Sequence, residues 1–187
     1  MTEPMKLNTQ LVRMEVIDGI ATVTIDHPPV HALNAQLLRE LELIFQSVQE
    51  NQHIHVMVLT STGDKLFVAG ADIKSMKDMT PAEAEALSKM GQRTFQHLQD
   101  MYKVTICALT GTALGGGLEL AMACDIRICS SAAQLGQPEI NLGIIPGFGG
   151  TQRLPRLVGI AHAKEMLLTG EPIDAQRAYE IGLVNHV

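Results

Sequence analysis

The sequence predicts an α/β fold, and three features point to it. β-rich runs and helical periodicities alternate along the whole chain. Val104-Thr-Ile-Cys-Ala-Leu109 is short and nearly all apolar, as in a strand buried on both faces of a parallel sheet. Residues 35–50 carry apolar side chains at Leu37, Leu38, Leu41, Ile44, Phe45 and Val48, three and four apart, which is one buried helical face.

Residues 11–17 and 20–26 are both β-rich, and Asp18-Gly19 between them is a two-residue hairpin signal. His27-Pro28-Pro29 ends the second strand, because proline cannot continue a ladder. Asn34 is an N-cap for the helix at 35–50. Residues 54–59 predict a buried strand, and 61–65 a turn. Residues 67–74 read as a strand end opening into a loop. Thr80-Pro81, with Glu83 in the first turn, starts a helix running to about 101. A glycine loop and a helix at 118–124 follow the 104–109 strand, and 125–130 is a further strand. Residues 134–150 are loop-rich, with too much Pro and Gly for a helix at Glu139. A polar helix opens at 151–153, residues 161–168 form a helix stopped by Gly170, and Asp174 caps a last short helix through Ile181. No internal repeat is visible. Residues 183–187 read as the opening of a strand, so the expectation is a single core domain over 1–187 that stops short of a further segment.

Composition narrows the function. Hydrophobic residues make up 46% and charged residues 18%, which a disordered chain does not show. The net charge of −6 and the absence of Trp argue against a nucleic-acid surface, and the charge argues against an anionic membrane surface. No run approaches the ~20 apolar residues of a membrane span. The N-terminus lacks the apolar core of a signal peptide. Cys107, Cys124 and Cys129 form no C-x-x-C pair and read as buried thiols. A cytoplasmic protein is expected. The seven histidines form no H-x-x-x-H pair, so no metal site is expected.

Common glycine motifs fail. Gly115-x-Gly117 has Leu120 where a dinucleotide fold needs glycine, and the Walker A spacing from Gly111 puts Gly117 where lysine is required. What remains is Gly115-Gly116-Gly117 just before a helix that carries Glu119 on its first turn, and Gln137-Pro138-Glu139 further on. Exposed amides and two carboxylates are the parts of an acid–base site for a substrate that develops negative charge. Each part also has a plainer meaning. A Glu in a first turn complements the helix dipole, a Glu after Pro is ordinarily a solvated loop residue, and a glycine run is ordinarily a tight turn.

Ala113-Leu-Gly-Gly-Gly-Leu-Glu-Leu-Ala-Met-Ala-Cys-Asp125 and the 133–154 stretch around Gly136-Gln-Pro-Glu139 and Pro146-Gly-Phe-Gly-Gly-Thr-Gln-Arg153 closely resemble the enoyl-CoA hydratase (crotonase) family. So do Phe67-Val-Ala-Gly-Ala-Asp-Ile-Lys74, His31-Ala-Leu-Asn34, Leu168-Thr-Gly170 and Ile181-Gly-Leu-Val-Asn185, in the family's order. The resemblance covers residues 10 to 187. It implies a crotonase-like (ClpP/crotonase) spiral of ββα units that holds an acyl-CoA thioester. It assigns Glu119 and Glu139 as the catalytic acid–base pair, with Glu119 mainly on water and Glu139 donating to the α carbon. It assigns the N–H groups of Ala71 and Gly116 as the oxyanion hole. Ala32, Ala71, Asp72, Ile73, Lys74 and Gly116 would contact the substrate or its coenzyme A, which is part of the substrate rather than a separate cofactor. Phe148, Met76 and residues 77–92 are expected to shape the acyl pocket.

Relatives that only shift the double bond often keep one acid–base glutamate. Both are present here, so hydration is favoured over the alternatives of an enoyl-CoA isomerase or a catalytically impaired acyl-CoA-binding module. Family members continue past the Gly-Leu-Val-Asn motif into a helical segment that builds trimers. The sequence is expected to stop before that C-terminal segment, so a homotrimer or hexamer is the family's expectation rather than this sequence's own.

Overall fold

The computed structural model describes residues 9–187. Strands β1 (Val12–Ile17) and β2 (Ile20–Ile25) form the expected hairpin, pairing Ile17 with Ile20. Asp18 and Gly19 both have positive φ, 49° and 80°, which fits the twist of a two-residue turn. Helix α1 (Ala35–Glu50) is capped by Asn34, whose side chain accepts the Leu37 N–H at 2.8 Å. The six apolar positions read from its periodicity are all buried.

Strand β3 (Val56–Ser61) begins two residues later than expected. Ile54 is still held in a turn there, its N–H donating to Asn51 O. Next come β4 (Leu66–Val68), the single-turn α2 (Ile73–Met76) and α3 (Pro81–Gln99). Helix α3 opens on a complete capping box between Thr80 and Glu83. Strand β5 (Val104–Leu109) matches its expected range. It leads to β6 (Thr112–Leu114), α4 (Gly116–Met122), β7 (Ile126–Cys129) and β8 (Gln134–Gly136). The segment Pro138–Leu142 is a short 3-10 helix, so Glu139 sits on a helical turn where none was expected. Five residues with proline first fit the tighter 3-10 form. The chain finishes with α5 (Gly150–Thr169), β9 (Ile173–Asp174) and α6 (Ala175–Glu180). Helix α5 bends at Gly159, where φ is 79°, so its two stretches correspond to the two helical signals read at 151–153 and 161–168.

Two sheets organise these elements. The larger runs β1-β2-β3-β5-β7 and the smaller runs β4-β6-β8-β9. All pairings are parallel except the β1–β2 hairpin and the β8–β9 edge. The order repeats: β3, β5 and β7 lie in the large sheet, each is followed by β4, β6 or β8 in the small sheet, and each pair then leads to a helix. The ββα repeat is thus a structural repeat with no sequence repeat beneath it. The loop-rich stretch at 134–150 hides β8, and the glycine loop hides β6.

The tail at 183–187 forms no full strand. It adds to the edge of β7 by one parallel bridge between Ile128 and His186. Arg127 pins it: its Nε donates to Leu183 O at 2.8 Å and its Nη1 to Cys124 O at 2.6 Å. Asn185 Oδ1 accepts the Arg127 N–H at 2.9 Å. The three cysteines are buried and unpaired. Among the described residues no helix is long and apolar enough to cross a membrane.

Candidate active site

Three neighbouring parallel strands, β4, β6 and β8, end on the same side of the small sheet. Ligands in parallel sheets bind beyond the carboxyl ends of the strands. The chain leaves β4 into Gly70-Ala71, leaves β6 into Gly115-Gly116, and leaves β8 into Gln137-Pro138-Glu139. Helix α4 then turns Glu119 back over the same point. Ala71, Gly116, Glu119 and Glu139 all line one cavity there, together with apolar side chains from α2, α3 and the 142–148 loop.

The glycines make the close approach possible. A Cβ on Gly117 would lie 2.1 Å from Val68 O, so only glycine lets α4 start against the end of β4. A Cβ on Gly70 would lie 3.6 Å from the Gly116 nitrogen, which shows how near the two loops run. Ala71 pairs with Leu33 in a single bridge whose hydrogen bonds use Gly70 O and Asp72 N, leaving the Ala71 N–H without an acceptor among the described residues. The Gly116 N–H is the first of α4 and has no acceptor within the helix. Helix α4 has only seven residues, so the amide itself contributes more than any helix dipole.

The two carboxylates differ in their surroundings. Glu119 is 1% exposed, and its Oε1 accepts the Phe148 N–H at 2.8 Å and the Gly150 N–H at 2.6 Å. Loss of water raises its pKa to about 7, with the Glu139 charge adding to the rise; the two amides and the Arg153 guanidinium oppose it. Glu139 is 8% exposed, and its Oε2 is buried with no hydrogen-bond partner. Burial pushes its pKa upward as well. Its Oε1 lies over Gly115, where a Cβ would come within 3.0 Å.

Ala32, Ala71, Asp72, Ile73 and Lys74 line a second groove, which shares Ala69, Ala71 and Ile73 with the first cavity. The two therefore adjoin across these residues. Asp72 is engaged as the cap of α2, its Oδ1 accepting the Lys74 N–H at 3.1 Å. Ile73 and Lys74 are exposed at the rim. Met76, Met79, Ala84, Leu87, Ser88 and Phe148 line the apolar end.

Sequence reasoning assigned no role to Gly150, Arg153, Gln99 or Gln137. Gln137 is fully buried and its Nε2 donates to Gly115 O at 3.2 Å, bracing the glycine loop. The Gly147-Phe-Gly-Gly150 cluster was the available signal for the amides that hold Glu119. Nothing in spacing alone ties it to a residue 30 positions earlier.

The chain is similar to proteins of known type over nearly all of its length. The family model described as enoyl-CoA hydratase/isomerase matches residues 15–187. A short-chain-enoyl-CoA hydratase of Clostridium acetobutylicum is 46% identical over 184 residues, covering 98% of this chain and 70% of that protein. A crotonyl-CoA hydratase of Syntrophomonas wolfei is 46% identical over 175 residues, covering 93% of this chain and 67% of that protein. The crystal structure of an enoyl-CoA hydratase from Bacillus anthracis superposes with a TM-score of 0.92 at 39% identity, covering 95% of this chain and 70% of that one. This chain thus spans about two thirds of the length of these relatives and has their crotonase fold. On the family match and these identities, the chain belongs to the enoyl-CoA hydratase/isomerase family.

Proposed function

We propose that this chain catalyses the reversible syn addition of water to a 2-enoyl-CoA thioester, giving a 3-hydroxyacyl-CoA. The observation that carries this proposal is that two buried carboxylates and two free amides share one apolar cavity. The thioester oxygen accepts hydrogen bonds from the Ala71 and Gly116 N–H groups. As water adds at C3, negative charge builds on that oxygen, and each preorganised donor is typically worth ~3–4 kcal/mol there.

The pair of glutamates holds one proton between them near neutral pH, because two buried like charges side by side are unfavourable. Two amide donors on Oε1 favour the carboxylate form of Glu119. The unpartnered, buried oxygen of Glu139 favours the acid. Glu119 therefore takes a proton from water while the water oxygen bonds to C3. Glu139 delivers its proton to C2 on the same face. Proton exchange through the next water returns the pair to its starting state. Coenzyme A enters as the handle of the substrate, along the groove lined by Ala32, Ala71, Asp72, Ile73 and Lys74, and hydration needs no further cofactor.

The family's description also covers isomerases, which move a double bond by proton transfer alone. A second buried carboxylate aimed at the same cavity supports hydration instead. The test is turnover of matched 2-enoyl and 3-enoyl thioesters, with the 2-enoyl reaction also run in D2O. Faster 2-enoyl turnover, giving the 2-deuterated diastereomer of syn addition, supports the proposal. Faster 3-enoyl turnover sinks it in favour of isomerisation, and acyl-CoA binding with no turnover sinks it in favour of a binding module.

A further inference from the structure

Arg153 is a buried cation that the acid–base pair does not use directly. It stands in the first turn of α5 and is 9% exposed. Its Nη1 donates to Phe148 O at 2.8 Å and its Nε to Gln99 Oε1 at 2.7 Å. Its Nη1 end packs against Gly149, where a Cβ would come within 2.2 Å of it. A guanidinium out of water has lost much hydration, and a fold retains one there when its partners restore that loss. Two neutral oxygens do so only in part. The nearby charges are Glu119 and Asp100, and both favour the charged guanidinium.

The loop that Arg153 grips is the one that grips Glu119. Phe148 N–H and Gly150 N–H are the donors to Glu119 Oε1, and Arg153 holds the Phe148 carbonyl between them. Helix α3 braces the same loop one peptide earlier. Ser88 Oγ donates to Gly147 O at 2.7 Å and Gln92 Nε2 to the same oxygen at 2.9 Å. Gly147 C=O and Phe148 N–H belong to one peptide group, so these bonds polarise the N–H that faces Glu119. Ser88, Gln92 and Gln99 lie four and seven residues apart, on one face of α3.

We propose that Arg153 is a positioning residue for Glu119: through the Phe148 carbonyl it fixes the two-amide cradle, and through its charge it holds Glu119 as the carboxylate that activates water. The catalytic consequence rests on the hydratase proposal above, whereas the effect on Glu119 itself does not. The charged groups facing Glu119 are Glu139, which opposes its ionisation, and Arg153, which favours it. Removing Arg153 leaves only the two amides to oppose the Glu139 charge.

The test is the titration of Glu119 by carbon NMR on protein labelled in its glutamate carboxyls, with Glu119→Gln giving the assignment. Arg153→Met keeps the length and removes the charge; Arg153→Lys keeps the charge and loses the two-pronged grip. The expected result is a resolvable rise in the Glu119 midpoint in Arg153→Met, as for loss of an opposite charge, and a smaller rise in Arg153→Lys. The acid limb of the hydration rate moves to higher pH by the same amount, with kcat lowered and KM little changed. Gln99→Leu, which frees the guanidinium from α3 without deleting it, gives a smaller rise and serves if Arg153→Met does not fold. A Glu119 midpoint unmoved in a folded variant overturns the proposal. If the wild-type chain turns over no 2-enoyl thioester, the hydratase reading fails, while the titration still decides the role of Arg153.

Discussion

The carboxylate of Glu139 rests on the bare α carbon of Gly115, so close that a Cβ there would stand 3.0 Å from Oε1. Gly115 also has φ 52° and passes its N–H to Gly136 O at 2.9 Å, tying the ends of β6 and β8 together. One glycine therefore sets both the path of the glycine loop and the seat of the Glu139 carboxylate.

Gly115→Ala tests that seat. The new methyl strains the backbone at positive φ, by about 1–3 kcal/mol, and pushes Glu139 out of line. The expected outcome is a fold that survives with a lowered melting point and turnover reduced at least about tenfold, since small misplacements in a site are costly. Chemical denaturation and steady-state rates on the same sample check it. Wild-type turnover would mean that the position of Glu139 over Gly115 is immaterial.

The buried charge on Glu119 gives a pH signature in stability. Its folded pKa, about 7, is above the ordinary 4.5, so the folded state binds its proton more tightly than the unfolded state does. Stability from this group is full below pH 4.5 and falls as pH rises to about 7. The total loss is about 3 kcal/mol, because each pH unit between the two pKa values is worth ~1.4 kcal/mol. Glu119→Gln removes the titration. Denaturant unfolding of both proteins from pH 4 to 8 should show the variant gaining on the wild type as pH rises, and parallel curves would contradict the assignment.

Phe148 is wedged between α3 and α4. A Cβ on Gly91 would lie 2.3 Å from its Cδ1, and one on Gly116 would lie 3.0 Å from its Cδ2. Its ring also meets Phe95 edge-on with centroids 5.5 Å apart. Gly91→Ala overfills this contact, and overpacking typically costs about 1–3 kcal/mol. The ring then moves toward Gly116 and narrows the cavity that would take the acyl chain under the proposed function. Lowered stability is expected, with a larger loss of turnover for long acyl chains than for short ones, measured on a series of thioesters. An equal loss for every length would separate Phe148 from chain selection.

Arg127 holds the 183–186 segment against β7. Arg127→Met leaves the carbonyls of Cys124 and Leu183 without their donors. Two unpaired buried acceptors cost about 2–6 kcal/mol together. Hydrogen exchange should quicken at Asn185, whose N–H donates to Arg127 O, before it quickens in β5. Uniform exchange across both would argue against a local tether.

The long elements were legible because each carries its own signal. Helix α1 has a cap and six periodic apolar positions, and β5 has an apolar run bounded by turns. The small sheet was scarcely legible. Only the end of β4 was read, at the start of 67–74; β4, β6 and β8 have three residues each, too few for a period, and their hydrogen bonds are settled by partners 20 or more positions away. Yet those strands bring Ala71, Gly116 and Glu139 together. The residues of the candidate site were named from motif resemblance. Their convergence depends on the pairing of β4 with β6 and of β6 with β8, which spacing does not encode. Arg153 escaped notice for the same reason: its partners are a backbone carbonyl and Gln99, and neither leaves a pattern around it.

Under the proposed mechanism, Glu119 takes a proton from water and Glu139 gives its proton to C2, beside the Ala71 and Gly116 amides. The most direct measurement is kcat for hydration of crotonyl-CoA by the wild-type chain, Glu119→Gln and Glu139→Gln, with acyl-CoA affinity measured on each. Single acid–base groups contribute about 10²–10⁴-fold. The expected result is a loss of at least about 100-fold in each variant with thioester binding retained. Wild-type turnover in either variant would contradict it.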